Sequence, residues 1–184
     1  MEMLDILDSN GNKTGESKSY EDAHKFGPMH KAVHVWIINS LNEILIQKRE
    51  KNRRAYPSHW DISSAGHVSA GETSLQAAKR ETKEELGVDF SDSDFQFLCT
   101  LEEHIILNDG AYVNNEFDDV FVVHVSMPVL EIKIDPNEVE QVRWVSMKDF
   151  KTWIQGGGEL MVPHVEEYER LLKYMESRTT GAET

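Results

Sequence analysis

Cysteine is nearly absent: Cys99 is the only one in 184 residues, which excludes an intramolecular disulfide and any metal site built on several thiolates. Basic residues are scarce as well. Lys and Arg total 19 against 33 Asp and Glu, for a formal net charge of -14. Such a surface repels nucleic-acid backbones and anionic membranes, and no long basic tract offsets it. The expected partners therefore include no nucleic acid and no membrane, although a small phosphorylated ligand could meet a local basic patch. No apolar run approaches the roughly 18 residues of a membrane span. The opening MEMLDILDSN is acidic and soon polar, unlike a secretory leader, so the cytoplasm is the expected location. Internal repeats and low-complexity segments are missing too.

What is present suits one globular domain, 39% hydrophobic and 28% charged, with enough chain to bury a core. The expected division is an N-terminal hairpin over 1–27, a core over 28–146 and C-terminal helices over 147–177. MLDILDSNGNKTGESKSY reads as strand, Asn-Gly turn, strand. KAVHVWIINS, LNE and ILIQKRE give a second hairpin whose first strand looks buried on both faces. WDISSAGHV reads as a strand ending in glycine, and 95–107, 117–127 and 141–145 as further strands. A helix starts near Thr73, capped by Thr73 with Gln76 and stopped by Gly87. Leu75, Ala78, Thr82 and Leu86 form its expected core face, with Glu81, Glu84 and Glu85 roughly opposite. SMKDFKTWIQ and PHVEEYERLLKYMES read as later helices, and RTTGAET as a frayed tail. The interspersed strands and helices indicate an α/β or α+β fold with one mixed sheet.

Glu81, Glu84 and Glu85 share a helix face and repel one another. A charged, solvated face would accommodate them, but AGHVSAGE aims a glycine-bounded loop into the same helix. Hard cations such as Mg²⁺ take several oxygen ligands and keep waters for phosphate substrates. Gly66, Glu72, Arg80, Glu81, Glu84, Glu85, Gly87 and Val88 fall on the Nudix hydrolase signature, with Thr82 replacing the usual aliphatic residue. At roughly 5–10% usage per fixed position, a chance match at one start is on the order of 10⁻⁷ to 10⁻⁸. The resemblance implies a Nudix fold, an α/β/α sandwich with a mixed β-sheet. It also implies Mg²⁺ or Mn²⁺ on Glu81, Glu84 and Glu85 with a loop carbonyl near Ala65 or Gly66, and hydrolysis of a diphosphate. By the same analogy Arg80 orients the glutamates and Glu72 braces the loop.

YEDAHKFGPMHKAVHVW, LIQKREKNRRAYPSHWDISSAGHV and NNEFDDVF resemble stretches of type I isopentenyl-diphosphate isomerase, which shares the Nudix fold. His24, His30 and His67 fall where that enzyme has metal histidines, and Glu116 matches one of its two late glutamates, the other aligning with Asn114. Ala65 stands where it has its catalytic cysteine, and alanine cannot move a proton to or from carbon. Meanwhile all box carboxylates are kept. Both differences favour hydrolysis. His34, alternating in an apolar strand, reads as a packed or surface histidine, and His164 carries no pattern.

Lys48, Arg49, Lys51, Arg53 and Arg54 form the one basic cluster. Either it is a solvated loop or part of it binds the diphosphate, Arg49 and Arg53 being the candidates, with His67 lining the site. Consecutive strand residues Lys48 and Arg49 point to opposite faces. Glu116, with Asp118 and Asp119 behind it, is the candidate general base if NNEFDD overhangs the metals, and an acidic turn otherwise. GGGEL follows a helix rather than a strand and reads as a linker. The expected activity is a metal-dependent hydrolase cleaving a small diphosphate-containing substrate, first a nucleoside diphosphate or derivative. An isopentenyl-diphosphate isomerase and a non-catalytic nucleotide-binding module are the alternatives. A homodimer stays open.

Overall fold

The computed structural model describes residues 2–125 and 132–180, with side chains to 178. At the N-terminus β1 (Met3–Leu7) pairs antiparallel with β2 (Lys13–Ser19) as a separate two-stranded sheet. Gly11 in the intervening turn takes φ 78°, the left-handed conformation that glycine adopts without penalty. The segment over 1–27 is more than a hairpin, because α1 (Tyr20–Phe26) follows it. Ser19 caps α1 by accepting from the Asp22 amide, and Gly27 ends it at φ 66°.

The main sheet holds β3 (His30–Asn39), β4 (Glu43–Arg49), β5 (Trp60–Asp61), β6 (Ser64–His67), β7 (Phe95–Leu107), β8 (Tyr112–Val125) and β9 (Val139–Ser146). Its path runs β5-β4-β3-β8-β7, with β6 also pairing β3 and β9 pairing β4. Among the described strands only β3 and β8 pair in parallel, so the sheet is mixed. The expected single strand ending at glycine is two short ones, and Gly66 lies within β6. β8 begins five residues earlier than the sequence suggested, so NNEFDD is strand interior. The far end of the expected strand over 117–127 lies outside the described residues.

β3 explains the layering. Val33, Val35 and Ile37 enter one core with Ala77, Ala78 and Leu86 of α2 (Ser74–Leu86), together with Phe121 and Val123. Trp36 and Ile38 enter the other, with Phe150 of α3 (Met147–Ile154) and Tyr168, Leu171 and Met175 of α4 (Val165–Thr180). Side chains alternate across a strand, so a strand between two helical layers presents apolar residues to both, as Val33 to Ile38 of β3 do apart from His34. The result is the α/β/α sandwich. α4 reaches Thr180 before residues 181–184, which lie outside the described residues, so much of RTTGAET is helical. The GGGEL stretch is a loop.

Candidate active site

α2 starts at the expected capping box, with Thr73 and Gln76 bonding reciprocally, and stops at Gly87. The core face does not leave the glutamates opposite it. Glu81 and Glu85 are buried beside Ala78 and Thr82, because residues three apart on a helix are neighbours. Glu84 remains exposed. The buried pair faces β6. Glu85 Oε2 accepts from the Ala65 amide at 3.0 Å and from Gln47 Nε2 at 3.2 Å. A Cβ on Gly66 would collide with the Glu81 carboxyl group, so glycine at this position makes room for the carboxylate.

Arg80 ties the group together. It donates through Nε and Nη2 to both oxygens of Glu72, through Nη1 to Glu81 at 2.5 Å and Glu84 at 3.2 Å, and through Nη2 to the His67 carbonyl at 2.9 Å. One cation for three carboxylates is too few. Burial, and then the neighbouring Glu85, pushes the Glu81 carboxyl up to about 8 despite Arg80. Burial likewise pushes Glu85 up to about 7, against the nearby Ser64 hydroxyl and the hydrogen bond from the Ala65 amide. Such a set has the oxygen chemistry that a hard divalent cation requires.

The sign of the pH effect follows. Both carboxyls hold their protons to higher pH in the fold than in the unfolded chain, so their contribution to stability is full below about 4.5 and is lost as pH rises through 7 and 8. Without metal, melting temperature should fall across that window, and Mg²⁺ should raise it more at pH 8 than at pH 5. Thermal shift with EDTA or Mg²⁺ measures this, and a Mg²⁺ shift independent of pH would contradict it.

A second group adjoins the glutamates: His67 and Glu116 line the same cavity of about 550 Å³, with His24 and His30 packed against His67. His24, His30, His67 and Glu116 each offer a ligand atom, all within 4.8 Å of one another. His24 Nδ1 donates to the Tyr20 carbonyl at 2.8 Å and His30 Nδ1 to the Pro28 carbonyl at 3.0 Å. A carbonyl only accepts, so Nδ1 of each ring carries a proton, which leaves Nε2 as the atom able to act as a ligand. The Nε2 atoms of His24, His30 and His67 are buried without a hydrogen bond among the described residues, although Glu116 Oε1 stands 3.2 Å from His30 and 3.0 Å from His67. Those separations are close but misdirected for hydrogen bonds, which suits donors converging on a cation. Burial drives His24 down to about 4, keeping it neutral. Burial raises the Glu116 carboxyl, but His30 and His67 outweigh this and hold it well below its usual range. Glu116 lies inside β8, with Oε2 accepting from Asn114 Nδ2 at 2.5 Å. It is part of a strand that lines the cavity, not of an acidic turn.

Of the basic cluster, Arg49, Arg53 and Arg54 line the cavity, whereas Lys48 pairs with Glu140 at 3.0 Å. Arg49 donates to the buried Asp61 at 2.7 Å and to the Ala55 carbonyl at 3.0 Å. Arg53 pairs with Glu138 at 3.2 Å. Sequence reasoning missed Asp61, Glu103 and His164, which meet in the cavity wall. His164 places Nε2 3.1 Å from Asp61 and Nδ1 3.0 Å from Glu103. The one available signal was Pro163-His164 directly ahead of a helix.

The NUDIX domain family model matches residues 28–165, and the chain belongs to that family. It is 37% identical over 182 residues to "Nudix hydrolase 3" of Arabidopsis thaliana, covering 96% of this chain but only 24% of that protein's length. It is also 31% identical over 164 residues to "Isopentenyl-diphosphate Delta-isomerase 1" of Photorhabdus laumondii, covering 89% of this chain and 90% of the other. Within the family it belongs to the isopentenyl-diphosphate isomerase-like branch. A crystal structure from Deinococcus radiodurans shares the fold, with a TM-score of 0.73 at 20% identity over 92% of this chain and 98% of that one. Among the described residues no helix is long and apolar enough to cross a membrane.

Proposed function

We propose that the protein is a divalent-metal-dependent hydrolase that cleaves the diphosphate of a small substrate, with a nucleoside diphosphate or derivative as first choice. The observation that carries this is that Glu81 and Glu84 of the intact signature line the same cavity as Ala65, the position at which the isomerase would need a thiol. Glu81, Glu84 and Glu85, with the Gly66 carbonyl, would hold Mg²⁺ or Mn²⁺. His24, His30, His67 and Glu116 would hold a second ion, and their imidazole-rich set suits Mn²⁺ or Zn²⁺ better than Mg²⁺. When bound, the ions would neutralise the diphosphate and render water acidic enough to attack it. Arg80 orients the glutamates. Arg53, Arg49 and the wall around His67 receive the anion, supplying local positive charge in a protein of net charge -14.

The second reading, isomerisation of isopentenyl diphosphate, is favoured by the histidine group and opposed by Ala65. Purified protein with Mg²⁺ or Mn²⁺ and a panel of nucleotide and isoprenoid diphosphates, with products weighed by mass spectrometry, separates the two. Monophosphate or free phosphate is the expected product. Dimethylallyl diphosphate formed from isopentenyl diphosphate would replace this reading by the second.

A further inference from the structure

A third buried polar group meets the cavity at His34, apart from the two sets assigned to metal above, and its His34, His164 and Glu167 offer ligand atoms within 4.8 Å of one another. His34 of β3 sits in register with Ala65 of β6, and both line the cavity. Its Nδ1 is 2.7 Å from Glu167 Oε2, and Trp36 Nε1 donates to Glu167 Oε1 at 2.6 Å. An ionised carboxylate only accepts, so Nδ1 carries a proton. Both Glu167 oxygens are thereby fixed, and the ring is fixed with them. Asp118 Oδ1 stands 4.0 Å from its Nε2, beyond bonding distance, and is itself without a hydrogen bond among the described residues. Ala65 contributes only a methyl group beside the ring. The outer edge of the imidazole is therefore presented to the cavity while its inner edge is clamped.

The charged groups around His34 are Glu167 from α4, Asp118 from β8 and His164 from the segment before α4, the last engaged by Asp61 and Glu103. Burial would lower the His34 pKa, but Glu167 and then Asp118 outweigh it and hold it at about 10. A buried histidine–glutamate pair that only held the fold together would not need a free N–H turned towards substrate space.

We propose that His34 is a catalytic residue, a fixed cation whose Nε2–H hydrogen-bonds the oxygen that leaves as the diphosphate is cleaved, with Glu167 as its positioning residue. The inference rests on diphosphate hydrolysis as the activity. Water oxygen bonds to the attacked phosphorus and releases its proton to bulk solvent, the bridging P–O bond breaks, and the bridging oxygen departs with the bond's electron pair. His34 keeps its proton throughout. Its contribution is a preorganised charge that strengthens its contact as negative charge develops.

The test uses His34→Gln and Glu167→Gln in the full chain with Mg²⁺ and the substrate the panel identifies. His34→Gln should lower kcat by on the order of 10²–10³-fold, with KM within about threefold and folding intact by circular dichroism. Glu167→Gln removes the charge that keeps the ring protonated. Its kcat should therefore fall with rising pH from near neutrality, where the wild type has no such loss until about pH 10. ¹⁵N NMR of the histidine side chains reads the same shift without turnover. A folded His34→Gln with wild-type kcat, or a Glu167→Gln whose ring loses its proton near neutral pH while the kcat profile does not move, overturns the proposal. If His34→Gln does not fold, the Glu167→Gln profile decides. If the wild type hydrolyses nothing on the panel, the hydrolase reading fails by itself. Inorganic diphosphate with Mg²⁺ then probes His34 directly: a shifted Nε2 resonance supports the contact with the anion, and an unmoved one removes it.

Discussion

Glu85→Gln is expected to make the metal-free protein more heat-stable and nearly inactive. Glu85 is buried against β6, and its carboxyl is pushed up to about 7 by burial, so near neutral pH its ionisation works against the fold. A glutamine side-chain oxygen can still accept from the Ala65 amide while carrying no charge, and an unpaired buried charge is the costly element. Melting temperature without metal should rise by roughly a few degrees at pH 8, and the extra stabilisation by Mg²⁺ should shrink. Turnover should drop by on the order of 10²–10³-fold or more, with Glu84→Gln matching the loss of activity but not the gain in stability, since Glu84 is exposed. Differential scanning fluorimetry and initial rates on the same preparations decide it. Full activity in either variant would remove these glutamates from the metal site.

Arg49→Ala is expected to be the most destabilising change in the cavity wall. Asp61 is buried and its carboxyl lies well below the usual range, because His164 and Arg49 outweigh the effect of burial. Without Arg49, Asp61 Oδ2 loses its 2.7 Å partner. Breaking a buried pair from one side costs about 3–5 kcal/mol, roughly 10 °C in a domain of this size. A raised KM in Arg49→Ala would therefore mix substrate contact with damage to the wall. Arg53→Ala is the cleaner probe, since its pair with Glu138 is half-exposed and contributes little. It should raise KM several-fold while moving the melting temperature by no more than a degree or two. Unchanged kinetics in Arg53→Ala would remove that residue from substrate binding.

The parts legible in the sequence were those with local spacing. The capping box at Thr73 and Gln76, the stop at Gly87 and the double-sided burial of β3 each follow from a few neighbouring residues. So does the crowding of Glu81, Glu84 and Glu85, although only packing against β6 reveals that two of them are buried. α1 was missed because seven residues are too few to show an apolar stripe, even with Ser19 and Gly27 at its ends. His34 looked like filler in an apolar strand, since its partner Glu167 lies 133 residues away. His164 and Asp61 are 103 residues apart. Contacts closed over such distances leave no periodicity or motif, so the polar wall of the cavity emerges only from the fold.

The C-terminal helix has one further consequence. Glu167 reaches from the first turn of α4 onto the facing side of β3 to fix His34 and Trp36, and His164 just before it closes on Asp61 and Glu103. During synthesis the box helix and β3 leave the ribosome well before this segment. Domains generally fold as units, so until α4 has emerged His34 is unclamped and Asp61 lacks one partner. Competence is then a late acquisition, gained when the last helix docks. A nascent or proteolytically shortened chain that had already assembled its glutamates would still have an unfinished cavity wall.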